Sequence, residues 1–302
     1  MTSEFILLNS EVNKMKKIVS LLIVLAMLLA FAGCSSGTDN SLTSIQDKGV
    51  MKVALSPDFA PMEFVDTSKS GQDSYIGFDV SLAKFIAEEL GVTLEILPMS
   101  FDACQVAVQT GSVDMSISGF SWTEKRAENY NLSDYYYAGD NETEQVIITL
   151  AANADAYPTA ESFSGKKVAA QNASLQLDLC NSQLPEDCEI VEVGDLTTAF
   201  LQLQNGDFDA LAVAKGQADV FIANNPGTIA ICGFEFEVDE AFEANVIMLP
   251  KGADELTAKV NEILAKAYEA GYYGEWYAEA LILADADTSA DVSYDDDGNI
   301  AG

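Results

Sequence analysis

The sequence predicts an α/β protein made of two similar lobes. Three observations carry that expectation. Short apolar strands alternate with amphipathic helices from Met51 to Ser118, a polar, tyrosine-rich passage interrupts them from Tyr130 to Gln145, and the same alternation restarts at Lys167. Strand–helix–strand–helix–strand order is the mark of a mostly parallel sheet covered by helices.

The elements follow in order. Met51–Leu55 reads as a strand. Phe78–Leu90 reads as a helix with Leu82, Phe85, Ile86 and Leu90 on one face, and Gly91 past its end serves as a C-cap. Val92–Leu97 is a strand, Asp102 is the expected N-cap of a helix ending at Gly111, and Val113–Ser118 is the next strand. After the interruption come a strand at Lys167–Gln171, a helix at Ser174–Asn181 and a strand at Glu189–Val193. A helix over Thr197–Gln204 capped by Asp195, a strand at Phe208–Ala214 and a helix at Gln217–Ala223 follow. Beyond a Gly- and acid-rich passage at Gly233–Glu240, the chain gives a strand, Asn245–Leu249, and helices over Ala253–Ala270 and Tyr273–Leu283. The stretch from Ala284 carries six Asp and no cation and reads as a disordered acidic tail over 284–302.

In sheets of this kind ligands sit beyond the carboxyl ends of strands, near helix N-termini. That rule puts Ser56–Phe59, Ser118–Thr123, Asn172–Gln176 and Ala214–Gln217 on edges that face one another across a cleft.

Composition narrows the chemistry. The 302 residues carry 48 Asp and Glu against 15 Lys and Arg, a formal charge of −33, and no histidine. Nucleic acid is excluded, because phosphate neutralisation needs clustered cations. Without histidine the usual general base and zinc ligand are gone, and no Cys-x-x-Cys pair suggests a metal; no cofactor is expected.

The N-terminus reads as a leader. Met15-Lys16-Lys17 precede an apolar run of 14 residues, Ile18 to Phe31, interrupted only by Ser20 and followed by Ala32, Gly33 and Cys34. A charged start, a short apolar core and small residues before a cleavage point make a signal peptide over 1–33, with Met15 as its natural start. The Phe31–Cys34 stretch resembles the lipobox of bacterial lipoproteins, with Phe31 where Leu is usual, so Cys34 is the expected lipidation site and 34–45 a tether. Of the other cysteines, Cys180 and Cys188 flank a short polar loop where a local bridge or two free thiols are both open; Cys104 and Cys232 sit in apolar runs.

Several motifs then resemble one family in the right order. These are Gly77-Phe78-Asp79-Val80-Ser81-Leu82-Ala83, the run Gly111 to Arg126 ending in Ile117-Ser118-Gly119-Phe120-Ser121-Trp122-Thr123-Glu124-Lys125-Arg126, Leu132-Ser133-Asp134-Tyr135-Tyr136, Gly165 to Ser174, and Gly271-Tyr272-Tyr273-Gly274-Glu275-Trp276-Tyr277. Together they resemble the extracellular solute-binding proteins of amino-acid ABC importers, over about residues 46–283. Ser81 departs from an acidic residue usual there. The resemblance implies the type II periplasmic-binding-protein fold, with two hinge crossings and a ligand cleft between lobe one, 46–139 plus 236–283, and lobe two, 140–235. It implies a lipid-anchored monomer outside the cytoplasm that captures an amino acid or related small carboxylate and hands it to ABC permease subunits.

It also implies the site. Arg126 matches the arginine that grips the ligand's carboxylate, a role suited to the planar guanidinium fork. Ser118, Gly119 and Ser121 match the loop that holds the ligand's polar end, with Ser56 on the facing edge. Ser174, Leu175 and Gln176 match the helix start that completes the carboxylate grip, though helix capping explains Ser174 and Gln176 equally. Phe59 and Phe101 match aromatic positions around the ligand side chain, and Trp122 lies in the loop itself; core packing is the alternative for all three. One position departs. Where relatives that bind α-amino acids carry an acid, five residues after Asp209, this chain has Ala214, followed by Lys215. Either Asp58, Glu63 or carbonyls substitute, or the ligand is not a simple α-amino acid. Two other functions stay open: a dehydratase on the same scaffold using Lys215 or a cleft Glu, and a co-sensor that presents ligand to a membrane partner.

Overall fold

In each of two sheets, three parallel strands are extended on one side by a reversed strand and one more strand paired antiparallel to it. The structure, a computed structural model, describes residues 39–136, 144–239, 242 and 244–284, with short strands at 293–294 and 300–301. The chain divides at Asp39, and the account below concerns residues 40–302. The leader, Cys34 and most of the tether lie outside the described residues.

The first sheet takes β1 (Val50–Leu55), β5 (Thr93–Pro98), β6 (Met115–Ser121), β7 (Asn131–Leu132) and β13 (Asn245–Leu249) in the order β5-β1-β6-β13-β7. β1 pairs parallel with β5 and β6, while β13 runs antiparallel to β6 and β7. The second takes β8 (Gln145–Leu150), β9 (Lys167–Gln171), β10 (Glu189–Val193), β11 (Ala210–Ala214) and β12 (Ile229–Glu235) in the order β10-β9-β11-β8-β12. There β9 pairs parallel with β10 and β11, and β8 antiparallel with β11 and β12. The expected alternation is therefore present twice, with an antiparallel extension in each copy. A small third sheet joins β2 (Asp58–Phe59), β3 (Glu63–Val65) and β4 (Tyr75–Ile76). β14 (Ser293–Tyr294) and β15 (Ile300–Ala301) pair antiparallel within the stretch expected to be a disordered tail, most of which lies outside the described residues.

Both faces of both sheets are covered, which is why the strands read as nearly continuous apolar runs. In the first lobe, α1 (Ser41–Lys48), α2 (Phe78–Leu90), α8 (Asp254–Glu269) and α9 (Tyr272–Leu283) pack Ile45, Leu82, Ile86, Val260 and Tyr277 against Met51 and Val53. α3 (Phe101–Gln109) covers the other face with Cys104 and Val108 against Phe120 and Met248. In the second lobe the period of two is legible along β11. Ala210 and Ala212 face α5 (Leu175–Gln183), while Leu211 and Val213 face α6 (Leu196–Asn205) and α7 (Lys215–Asn224).

Some elements differ from expectation. α1 begins inside the expected tether, and Ile45 is 1% exposed because it fills the core beneath α8. Asp102 does not cap α3. Ser100 holds the N-cap position, one residue before the helix, and its hydroxyl donates to Asp102 Oδ1 at 2.6 Å. Cys104, Cys180, Cys188 and Cys232 are all buried free thiols.

Candidate ligand-binding site

β6 does not end at Ser118 but runs on through Ser121, because β13 supplies it with an antiparallel partner up to Asn245 opposite Ser121. The Ser-Gly-Phe-Ser stretch is thus a strand end. Thr123 then caps the short helix α4 (Glu124–Asn129), its side chain accepting the Arg126 N–H at 3.2 Å. This places Arg126 in the first turn, pointing back along the strand into the space between the sheets.

Eighteen residues line a cavity there, between the two sheets. Eleven of the twelve expected site residues are among them: Ser56, Phe59, Phe101, Ser118, Gly119, Ser121, Arg126, Ser174, Leu175, Gln176 and Ala214. Trp122 is not. Alternation along β6 carries it with Phe120 to the far face, where it packs beside Tyr130 and Met248. Lys215 is also absent from the lining; its ammonium pairs with Asp219 at 2.8 Å on the surface of α7.

Arg126 dominates one end of the cavity. It is 6% exposed, its Nη1 donates to Ser121 O at 2.7 Å, and its Nη2 donates across the cleft to Ala173 O at 3.0 Å. Its guanidinium carbon lies 5.7 Å from the Phe101 ring centre and 5.3 Å from that of Phe120. Among the described residues no carboxylate forms an ion pair with it; Asp178 attracts it only at longer range. Burial draws its pKa down to about 10, so it stays charged at neutral pH. Ala173, whose carbonyl it meets, is held at φ 60°, a conformation uncommon for a residue with a side chain.

Opposite stands Ser174, the N-cap of α5, with its hydroxyl accepting Leu177 N–H at 3.1 Å. Capping and cavity lining are therefore both true of it. Gly119 is required by space as well as by its φ of +53°: a Cβ there would lie 2.7 Å from Phe59 Cε1. One edge of the Phe59 ring thus closes against the Gly119 backbone, and Phe59 walls the cavity.

The other end is acidic. Asp58 bridges the lobes: its Oδ1 accepts the Ser56 hydroxyl at 2.7 Å, while Oδ2 accepts Gln171 Nε2 at 3.0 Å and Leu196 N–H, the first of α6, at 2.7 Å. Burial pushes its pKa up to about 6. Glu63, fully buried, accepts the Ser118 hydroxyl at 2.5 Å, and Ser118 in turn accepts Ser56 N–H at 3.0 Å. Asp79 Oδ2 accepts Gly119 N–H at 2.8 Å and the Tyr136 hydroxyl at 3.1 Å. Glu63 Oε2 and Asp79 Oδ1 have no donor among the described residues if both acids are ionised. One proton shared between the two satisfies both, in keeping with a Glu63 pKa pushed well above the usual range and an Asp79 pKa pushed up to about 7, each chiefly by burial. These buried acids hold Ser118 and Gly119 in place.

The site reading from sequence missed Gln171, Leu196, Ala212, Val213 and Gln217 as lining residues. Gln217 lies on one of the strand-end edges marked by topology; the others become visible only once β9, β11 and α6 are brought together.

A two-lobed α/β protein with a small lined cavity between the lobes is a binding protein of the type II periplasmic class. The chain belongs to the bacterial extracellular solute-binding proteins, family 3, whose pattern matches residues 51–281. It is 27% identical over 266 residues to a probable histidine-binding protein of Campylobacter jejuni, covering 84% of this chain and 99% of that one. It is 25% identical to the arginine-binding extracellular protein ArtP of Bacillus subtilis, covering 85% and 94%. Among solved structures it is similar to the Streptococcus pneumoniae amino acid ABC transporter substrate-binding protein AbpA bound to L-arginine, with a TM-score of 0.74, 31% identity, and 81% and 100% of the two chains covered.

Proposed function

We propose that this protein is a lipid-anchored monomer outside the cytoplasm that captures an amino acid or a closely related small carboxylate and delivers it to an ABC permease. The observation that carries the reading is Arg126, a buried cation in the cavity whose hydrogen bonds run to carbonyls and which no carboxylate among the described residues pairs with. A buried charge without a counter-ion is costly, and a ligand carboxylate gripped by the guanidinium fork removes that cost. Ser121, Ser174 and the first N–H groups of α5 surround the same space and suit an anion. Relatives named for histidine and arginine binding support an α-amino acid as the ligand class. Phe59, Phe101, Leu175, Leu196, Ala212 and Val213 give the remaining wall an apolar character that favours an apolar or aromatic side chain. The lobes, about 46–139 plus 236–283 and 140–235, close on the ligand because it contacts both.

A thermal-shift screen of amino acids and small carboxylates, followed by calorimetry on the hits, tests the reading. Arg126→Ala is expected to abolish binding while circular dichroism and melting stay those of a folded protein; unchanged affinity would sink the clamp. Cys34→Ser is expected to move the protein from the membrane to the soluble fraction, and persistent anchoring would refute lipidation there.

A further inference from the structure

Ala214 leaves the cavity without the acid expected at the ligand's amine, yet one helical turn further on a second polar group faces the same space. Gln217 is fully buried, sits in the first turn of α7 and lines the cavity. Its Nε2 donates to the backbone carbonyl of Asp58 at 2.8 Å. Only the nitrogen of the amide can make that bond, so the orientation of the side chain is fixed by its partner. The amide oxygen is then left over, and Gln217 Oε1 accepts no hydrogen bond from any described residue. Buried acceptors are rarely left in that condition without a reason.

The residue that anchors Gln217 brings a second acceptor. Asp58 also lines the cavity, and three donors reach its carboxylate: one on Oδ1, from Ser56, and two on Oδ2, from lobe two. A carboxylate has about four acceptor sites, so the remaining one lies on Oδ1. Two acids line the cavity, Asp58 and Glu63. Glu63 shares a proton with Asp79, which leaves Asp58 as the acid that offers negative charge to a ligand.

We propose that Gln217 Oε1 and the Asp58 carboxylate together recognise the ligand's amine, in place of the acid absent at Ala214. The inference rests on the amino-acid reading above and sharpens it: the ligand class is an α-amino acid with a free ammonium, held between Arg126 at its carboxylate and this pair at its nitrogen. The amide oxygen contributes a directed acceptor and the carboxylate contributes charge. The amine is thus read partly from lobe one, where the cavity also carries Arg126.

Matched probes separate this from the carboxylate clamp. Calorimetry on the full chain would use L-phenylalanine, L-leucine and L-arginine beside their des-amino analogues 3-phenylpropionate, 4-methylpentanoate and 5-guanidinopentanoate. The wild-type protein is expected to bind at least one amino acid on the order of 100-fold more tightly than its analogue. Gln217→Leu should weaken that amino acid about 10-fold or more and its analogue far less; Asp58→Asn, which also loosens the tie between the lobes, should weaken the amino acid about 10-fold more than it weakens the analogue. Ala214→Asp in the Gln217→Leu background should restore selectivity for the amine, which a variant damaged only in folding could not do. Equal losses for both members of each pair, or analogues that bind as tightly as amino acids, overturn the proposal. If both members of a pair bind in an Arg126-dependent way but the amino acid is indifferent to Gln217→Leu and Asp58→Asn, the amine site fails and the carboxylate clamp stands; if no probe binds, both fall.

Discussion

The two ends of the cavity hold opposite charges in opposite circumstances. At one end the Arg126 guanidinium is buried beside two aromatic rings and donates to the carbonyls of Ser121 and Ala173, with no carboxylate paired to it among the described residues. At the other end Asp58 is also buried, but three donors converge on its carboxylate, two of them from the facing lobe. The first arrangement leaves charge to be neutralised from outside. The second spends most of its capacity inside the protein, and so does two jobs, tying lobe to lobe and keeping one acceptor site open. Burial alone therefore does not mark a binding group; the count of partners does.

The comparison can be broken most decisively at the arginine. Arg126→Lys keeps the charge but loses the planar fork, and affinity for carboxylate ligands is expected to fall about 100-fold, equivalent to roughly 3 kcal/mol. Calorimetry showing a loss below about threefold would mean that a point charge suffices and the fork is irrelevant.

The acid end is sharpened by pH. Glu63 and Asp79 keep their shared proton to higher pH in the folded chain than in the unfolded one, Asp79 up to about 7. Between about pH 4 and 7 the folded state therefore binds more protons. The contribution of the pair is fully present below the unfolded pKa values and is lost as pH rises, with a slope of up to about 1.4 kcal/mol per pH unit for one proton. Urea unfolding at pH 4.5 to 7.5 should show stability falling with pH, more steeply in the wild type than in Asp79→Asn. Identical slopes in the two proteins would remove the shared proton from the account.

The smallest effect expected is at the wall between the two ends. Gly119→Ala puts a methyl group 2.7 Å from Phe59 Cε1, closer than a carbon–carbon contact allows. The ring must shift, and ligand affinity should drop about 10-fold, or roughly 1.4 kcal/mol. In a Phe59→Ala background the same change should cost much less. Additive losses would show that Gly119 acts through the backbone and not through the ring.

Much of the architecture was legible in the sequence because periodicity reports burial. The helix Phe78–Leu90 and the strands Lys167–Gln171, Glu189–Val193 and Asn245–Leu249 stand where their patterns place them. β8 was hidden inside the end of the Tyr130–Gln145 passage and the run after it, and β12 in the unassigned run after the Gln217–Ala223 helix and the first residues of the Gly- and acid-rich passage at Gly233–Glu240. Each abuts a polar or glycine-bearing run, so its short β-branched pattern is masked by the turn-like residues beside it. A different limit governs the site. Arg126 and the serines were readable as a contiguous motif. Gln217 was marked only as part of a strand-end edge, because its meaning depends on a carbonyl 159 positions earlier, at Asp58.

The strand order has a consequence for how the molecule is assembled. The second sheet is drawn from one continuous stretch, Gln145 to Glu235, whereas the first is not: β13 lies between β6 and β7 and arrives only at Asn245. A chain emerging from the ribosome, or threading through an export channel N-terminus first, thus presents the start of the first lobe early and its middle strand late. The half that begins first must finish last, and its strands Val50–Leu132 have to wait with an open edge while the later half closes. A fragment ending near Tyr136 would lack the strand that joins β6 to β7, so truncation there removes the lobe and not merely its neighbour.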